Sequence, residues 1–225
     1  MDSLRHAQIL LAVSKAPASG QTKTRLGATI GLDAAADFYA CLLGDTLNLM
    51  RMTTNTQCGI AYTPQGREDF FEGVAPGFEL VLQQGADLGA RLNHVINACF
   101  ERGYARVAVL SCDTPLVNPR DIDHAFELLA DGYDAALGPC DDGGYYLLAL
   151  REPHPELLLP IQMSTPRVVS DTLAAASRAN LRVAQLPITQ DIDVADDLPR
   201  LKLQLQQLPA QVATHTRQWL QQNHP

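Results

Sequence analysis

The chain has no basic excess, no paired-thiol pattern, no long apolar run and neither of the two commonest nucleotide-binding fingerprints. Its 225 residues carry 17 Lys plus Arg against 25 Asp plus Glu, a formal net charge of −8. Polyanions are held mainly by clustered cations that release counterions, so this balance argues against a nucleic-acid binder. The five cysteines, Cys41, Cys58, Cys99, Cys112 and Cys140, are odd in number and contain no CxxC. Neither a disulfide framework nor a thiolate zinc site is indicated, and a reducing cytoplasm is the expected compartment. The apolar run from Ala7 to Val13 follows Arg5 but is short and leads straight into Ser14-Lys15, so it reads as a buried first strand and not as an export signal. No segment approaches the ~20 consecutive apolar residues of a membrane-spanning helix. GxGxxG is missing, and Lys23-Thr24 lacks the glycines of a Walker A loop, which sets aside the dinucleotide fingerprint and the P-loop.

What is present suits a folded core, with 46% hydrophobic and 19% charged residues. No repeat, low-complexity tract or linker interrupts the chain, and one domain spanning 1–225 is expected. Short apolar runs at Ile9–Val13, Gln57–Ala61, Glu79–Gln83 and Arg106–Leu110 predict strands. Helical patterns lie between them: Phe38, Leu42, Leu43 and Leu47 beyond an Asp33 cap, and Leu92, Val95, Ile96 and Cys99 within Leu88–Phe100. This βαβα order implies an α/β fold with a mostly parallel sheet and a ligand crevice beyond the carboxyl ends of its strands. After Asp134 the rhythm changes. Asp134–Leu137 and Tyr145–Leu150 are too close together for a helix, so a local antiparallel insertion is expected there. Ser164-Thr165-Pro166 predicts the cap and first turn of a helix through about Arg178, followed by a strand near Arg182–Leu186. Asp196 or Asp197 would cap a C-terminal helical segment over about 195–222, with Leu198, Leu201, Leu205, Leu208 and Val212 packed on the sheet or, alternatively, forming a dimer seam.

Three regions carry candidate chemistry. The loop from Val13 to Leu26 places Lys15, Lys23 and Arg25 in a Gly/Pro/Ser context after a buried strand, a pattern suited to phosphate oxygens, although solvated surface cations share it. Val107–Thr114 is a strand running into Asp113, and Asp191-Ile192-Asp193 follows a later one. One or two such carboxylates, together with substrate phosphates, would hold Mg²⁺, while turn stabilisation or helix capping is the alternative. Asp142-Gly143-Gly144-Tyr145 would let backbone and phenol meet a ligand, or form a tight hairpin turn. Cys112, between a strand and Asp113, reads as a packing residue.

Taken together, Lys15-Ala16-Pro17-x-x-Gly20-x-x-Lys23-Thr24-Arg25-Leu26, Ala86-Asp87-Leu88-Gly89-x-Arg91, Asp113-x-Pro115, Gly138-Pro139-x-x-Asp142-Gly143-Gly144-Tyr145-Tyr146-Leu147 and Asp191-x-Asp193-x-x-x-Asp197-Leu198 resemble a largely uncharacterised family of glycosyltransferase-A-like domains. Its members are labelled nucleotide-diphospho-sugar transferases, some associated with radical-SAM or selenium-related proteins. The resemblance spans roughly Ile9 to Leu201 and implies a three-layer α/β/α sandwich of the nucleotide-diphospho-sugar transferase fold. A more distant resemblance, to phospholactate guanylyltransferase, rests on Lys23-Thr24-Arg25-Leu26, Asp113-x-Pro115 and Asp191-x-Asp193.

By these resemblances Lys15, Gly20, Lys23 and Arg25 hold nucleotide phosphates, and Gln84, Asp87, Leu88 and Gly89 meet the base. Asp142, Gly143, Gly144 and Tyr145 face the acceptor or sugar. Asp113 and Asp193, with Asp191 as the further candidate, carry Mg²⁺ or Mn²⁺, and Lys23, Arg25, Asp113 and Asp142 are the catalytic set. Met163-Ser164-Thr165 stands where the family commonly has Trp-Ser-Thr, and Ser111-Cys112-Asp113 lacks the first acid of a DxD. Three readings stay open: a glycosyltransferase, a nucleotidyltransferase releasing pyrophosphate, and a non-catalytic nucleotide-binding module. The expected partners are a nucleotide or nucleotide-sugar and a small-molecule acceptor, for a monomer or homodimer.

Overall fold

The computed structural model describes residues 7–223, so Arg5 lies outside the described residues. In chain order, β1 (Gln8–Lys15) leads to α1 (Thr24–Ile30) and α2 (Leu32–Met50), β2 (Gln57–Thr63) to α3 (Glu68–Val74), and β3 (Glu79–Leu82) to α4 (Leu88–Glu101). β4 (Arg106–Ser111) leads to α5 (Pro119–Ala130), and β5 (Ala135–Pro139) and β6 (Tyr145–Leu150) follow. A 3-10 turn, Pro155–Leu157, precedes α6 (Val168–Arg178), β7 (Val183–Gln185), α7 (Asp197–Gln206) and α8 (Thr214–Asn223). Among the described residues no helix is long and apolar enough to cross a membrane.

The seven strands form one sheet in the order β3-β2-β1-β4-β6-β5-β7. β6 runs antiparallel to both neighbours, and the other pairings are parallel. Parallel strands are covered on both faces, which is why β1 and β4 read as unbroken apolar runs. Alternation sends Leu10, Ala12, Ala108 and Leu110 to one face, against Leu43 and Leu47 of α2, Phe71 of α3 and Phe126 of α5. Ile9, Leu11, Val107 and Val109 point the other way, onto Val95 and Ile96 of α4 and Ala175 of α6. The result is three layers, α/β/α, as the order of elements requires. Each fully buried Leu or Ile on these faces contributes about 1.5–3 kcal/mol.

Several boundaries depart from the sequence expectation. The cationic segment is not all loop, because α1 begins at Thr24. α2 starts directly after Gly31, so Asp33 sits in its first turn and no side chain caps it. Ser164 adopts a left-handed conformation at φ 61 and α6 starts only at Val168, so Ser164-Thr165-Pro166 forms a turn ahead of the helix. The C-terminal leucine stripe is broken, and Leu198, Leu201 and Leu205 pack against α1 and α2 and not on the sheet. α7 ends at Gln206, Pro209 cannot continue it, and Leu208 is left 38% exposed.

The chain then restarts as α8, which packs with α1, α2 and α7 around Leu26, Phe38, Leu201 and Trp219. The Phe38 and Trp219 rings lie 4.8 Å apart. Asp45, buried within α2, accepts the backbone N–H groups of His215 at 2.9 Å and Thr216 at 2.8 Å. Those are first-turn amides of α8 that have no partner within their own helix, so α2 caps α8 across the interface.

Asp45→Ala should therefore lower stability by about 1–2 kcal/mol. It should also shift the emission of Trp219, the one tryptophan, toward the red. Urea unfolding followed by tryptophan fluorescence checks both; an unchanged midpoint and spectrum would show that α8 is not held from α2.

Candidate functional site

β1 pairs with β2 on one side and with β4 on the other. At such a switch point the loops leaving the two strands part and open a crevice beyond their carboxyl ends. An open cleft of about 810 Å³ lies there, lined from the β1 side by Ser14, Lys15, Lys23 and Arg25 and from the β4 side by Ser111 and Asp113. The loop before α7 adds Asp191 and Asp193, and the β5–β6 turn adds Asp142, Gly144 and Tyr145.

The centre of the site is Lys23. It takes the left-handed conformation at φ 47, uncommon for a residue with a side chain, and ends the loop that leads into α1. Its ammonium, on a side chain only 4% exposed, lies 2.7 Å from Asp113 Oδ1 and 3.8 Å from Asp193 Oδ1. Burial alone would lower its pKa, but Asp113, Asp191 and Asp193 outweigh burial and raise it. Arg25 donates to the other oxygen of Asp193.

The acidic loop is shaped by alternation. Ile192 is buried against Leu26, Phe38 and Leu198, so Asp191 and Asp193 on either side of it turn together toward the cleft. Three hydrogen bonds fix this geometry: Ile192 N donates to Asp113 O at 3.2 Å, and Asp193 N and Val194 N each donate to Asp197 Oδ2 at 2.8 Å. Asp191 is the perturbed member. Burial pushes its carboxyl up to about 7, Lys23 opposes the shift, and Asp113, Asp142 and Asp193 add to it.

An oxygen-only donor set of this kind suits a hard cation. The ammonium of Lys23 is a stand-in cation already seated between Asp113 and Asp193. Asp113, Asp191 and Asp193 are not, among the described residues, a trio with ligand atoms all within 4.8 Å of one another. Two of them with substrate phosphates are therefore the fitting arrangement for Mg²⁺ or Mn²⁺. Asp113 is not a helix cap, since Asn118 caps α5 by accepting from Arg120 N at 3.0 Å. Cys112 is buried beside Tyr39 in the core, and burial pushes its thiol up to about 12, so it is held as a thiol.

On the far wall, Asp142, which lines the cleft, accepts Gly144 N on its Oδ1 at 2.8 Å. Gly143, at φ 90, faces the chain and not a ligand: a Cβ there would meet Pro166 O at 2.1 Å. This close approach seats the Asp142–Tyr145 turn against Met163–Pro166, which also lines the cleft. The Tyr145 hydroxyl is buried without a hydrogen-bond partner among apolar lining from Leu88, Leu92 and Val168. Burial raises its pKa above the ordinary phenol range.

The structure thus brings Lys15, Lys23, Arg25, Leu88, Asp113, Asp142, Gly144, Tyr145, Asp191 and Asp193 to one cleft. Gly20, Gln84, Asp87, Gly89 and Gly143 do not line it. Asp87 instead caps α4, accepting from Ala90 N at 2.8 Å, and Gly89 packs under Leu158, whose carbonyl would be 2.6 Å from an added Cβ. Their neighbours reach the cleft: Gln83, whose amide donates to Ala61 O at 2.7 Å, and Arg91, whose buried Nε makes no hydrogen bond. Arg91 belongs to a motif visible in the sequence, and only the phase of α4 shows that it, and not Asp87, faces inward.

An α/β/α sandwich with this strand order and a cation-lined cleft at the switch point defines the class of nucleotide-diphospho-sugar transferase folds. The chain belongs to the family described as "Uncharacterized protein conserved in bacteria (DUF2064)", whose model matches residues 46–165. It is similar to the crystal structure of a candidate nucleotide-diphospho-sugar transferase from Desulfovibrio desulfuricans G20, with TM-score 0.90 and 32% identity over 97% of this chain and 96% of that one. It is also 32% identical over 124 residues to a phosphoenolpyruvate guanylyltransferase of Rubrobacter xylanophilus, covering 53% of this chain and 58% of that protein. The chain therefore spans little more than half the length of that curated relative. Rv0371C of Mycobacterium tuberculosis H37Rv, crystallised as a complex with manganese, shares the fold at TM-score 0.54 and 17% identity, over 86% of this chain and 97% of that one.

Asp191 gives the site a pH signature in metal-free buffer. Its folded pKa of about 7 lies above the ordinary 3.8, so between those values the folded chain keeps a proton that the unfolded chain has lost. Stability from this group is full below about pH 4 and falls as pH rises to about 7. Asp191→Asn should remove that fall, matching the wild type near pH 4 and exceeding it at pH 8 by on the order of a few kcal/mol. Urea unfolding at the two pH values measures it; parallel curves for both proteins would show that Asp191 ionises normally.

Proposed function

We propose that the cleft binds a nucleoside-diphosphate sugar together with a divalent cation and transfers the sugar to a small-molecule acceptor. The observation that carries this reading is the junction of Lys23 and Arg25 with Asp113 and Asp193. There two carboxylates that would hold a cation lie against two side chains that would bind phosphate. Asp113 and Asp193 would hold Mg²⁺ or Mn²⁺, with Asp191 beside them. When bound, that cation would neutralise charge on the phosphates of the leaving group.

The protein's own residues would do the rest. Lys15, Lys23, Arg25 and Arg91 would hold the phosphates and, to accelerate the reaction, tighten on charge that grows as the bond from sugar carbon to phosphate oxygen breaks. Tyr145, on an apolar wall of the cleft, would pack against the sugar's carbon face. The Asp142 carboxylate would take the proton of the acceptor hydroxyl as its oxygen bonds to the sugar carbon. Gln83, Leu88 and the start of α4 would lie along the base. The five free thiols support a reducing, cytoplasmic setting.

A second reading is nucleotidyl transfer, in which an acceptor oxygen attacks the α-phosphorus of a nucleoside triphosphate and pyrophosphate leaves. The similarity to a guanylyltransferase over 124 residues favours it. The same cations would then hold the departing pyrophosphate.

Products separate the readings. Incubation with panels of nucleotide-sugars and nucleoside triphosphates, with and without Mg²⁺ or Mn²⁺, should release free nucleoside diphosphate under the first reading and pyrophosphate under the second. Nucleotide affinity without metal-dependent turnover on any acceptor would leave a binding module. Arg25→Ala should weaken nucleotide affinity about tenfold with the fold intact, because a charge-assisted bond to phosphate is lost from an exposed side chain. Unchanged calorimetric affinity in that variant would remove the first loop from the site.

A further inference from the structure

We propose a second metal site, for a zinc-like transition cation, at the edge of the sheet opposite the cleft, formed by Asp134, Glu152 and His154. Among the described residues these three alone offer ligand atoms that all lie within 4.8 Å of one another. They come together because β5 and β6 are antiparallel, with Ala135 paired to Leu150, so the residue entering β5 and those leaving β6 share one edge. The proposal does not depend on the function assigned to the cleft.

The histidine carries the inference. Its side chain is only 7% exposed, and its Nδ1 lies 3.0 Å from Glu156 Oε1. A carboxylate cannot donate, so in the neutral ring Nδ1–H donates to Glu156, which sets the tautomer. The lone pair is then on Nε2, as in carboxylate–histidine–metal triads. Nε2 is buried and has no hydrogen-bond partner. The group it faces is Glu152 Oε1 at 3.8 Å, too far for a hydrogen bond and itself an acceptor. A buried lone pair facing carboxylates calls for a cation.

The other ligands can accept one. Asp134 Oδ1 takes both Arg151 Nε at 3.0 Å and Arg151 Nη2 at 2.5 Å, while Oδ2 takes only Arg182 N at 2.7 Å. Oδ2 thus retains a lone-pair position. Tetrahedral zinc with bonds of ~2.0–2.2 Å holds its ligands ~3.3–3.6 Å apart. Glu152, with its side chain 58% exposed, has the freedom to close the remaining distance. Of the three carboxylates here, Asp134 is paired with the Arg151 guanidinium, while Glu152 and Glu156 flank His154, so a divalent charge is matched. The imidazole nitrogen selects zinc over magnesium, in contrast to the all-oxygen donors of the cleft. Bound metal would tie the β5–β6 edge to the turn at Pro155–Leu157, the root of the segment whose far end, Met163–Pro166, walls the cleft.

The test uses the full chain, with Zn²⁺ or Mg²⁺ as the probe. Zinc titration of a variant with Asp113→Asn and Asp193→Asn, which disables the cleft carboxylates, should still show one equivalent bound and a raised melting temperature. Adding Glu152→Gln should weaken that binding at least tenfold. Nitrogen NMR of the wild type should show the His154 Nε2 resonance moved by zinc and not by magnesium. The proposal falls if Glu152→Gln leaves zinc affinity unchanged, if His154 is a doubly protonated imidazolium that zinc does not displace, or if magnesium moves the resonance equally.

Discussion

A buried ammonium among three carboxylates governs the carboxyl edge of this sheet. Lys23 sits at the end of the first loop, Asp113 at the end of β4, and Asp191 and Asp193 in the loop before α7, so one cation ties together segments far apart in sequence. A buried charge without a partner is strongly destabilising, whereas a compensated one costs little. Each of these loops therefore depends on the others, and the left-handed turn at Lys23 is tolerated because the ammonium it delivers is needed where it lands.

The same arrangement explains how a chain with net negative charge could handle an anionic substrate. Most of its 17 cations lie elsewhere, but Lys15, Lys23, Arg25 and Arg91 line the cleft at the switch point, where low-dielectric walls strengthen each contact. Asp191 shows the cost of packing acids there: with burial and three neighbouring carboxylates against it, one lysine does not keep its carboxyl in the ordinary range.

How far the molecule can be read from its residues depends on whether a signal is local. The apolar runs of β1 and β4 and the change of rhythm after Asp134 are local, and the α/β order follows from them. The Lys23 and Asp113 partnership was legible only as motifs in order, because nothing in the spacing of residues 23, 113 and 193 states that they meet. Element ends were the least legible. Asp33 looks like a cap, but Gly31 ends α1 and starts α2 in one residue; the leucine stripe looks continuous until Pro209. In the Asp87–Arg91 motif the residue types were visible, but which of them face the cleft is set by how α4 lies against the sheet. Gly143 carried the right signal, a backbone that must approach something closely, with the wrong partner, since the close neighbour is Pro166. The Asp134, Glu152 and His154 cluster left no periodic trace, because its members lie outside the strands, Asp134 just before β5 and Glu152 and His154 just after β6.

The strand that runs against the others connects these observations. In an all-parallel sheet every loop that follows a strand emerges at the same edge, and polar chemistry collects there. β6 reverses that rule between β4 and β5. Its beginning puts Tyr145 and the Asp142–Gly144 turn at the cleft, opposite the cationic loop, and its end sends Glu152 and His154 to the far edge. From there the chain must return across the α4 and α6 face to reach α6. The path it takes, through the buried Leu157 and Leu158, closes the cleft with Met163–Pro166. The wall that faces Lys23 and Arg25 is thus built by the segment rooted at the opposite edge, so the packing of that root and the shape of the cleft are parts of one mechanical path.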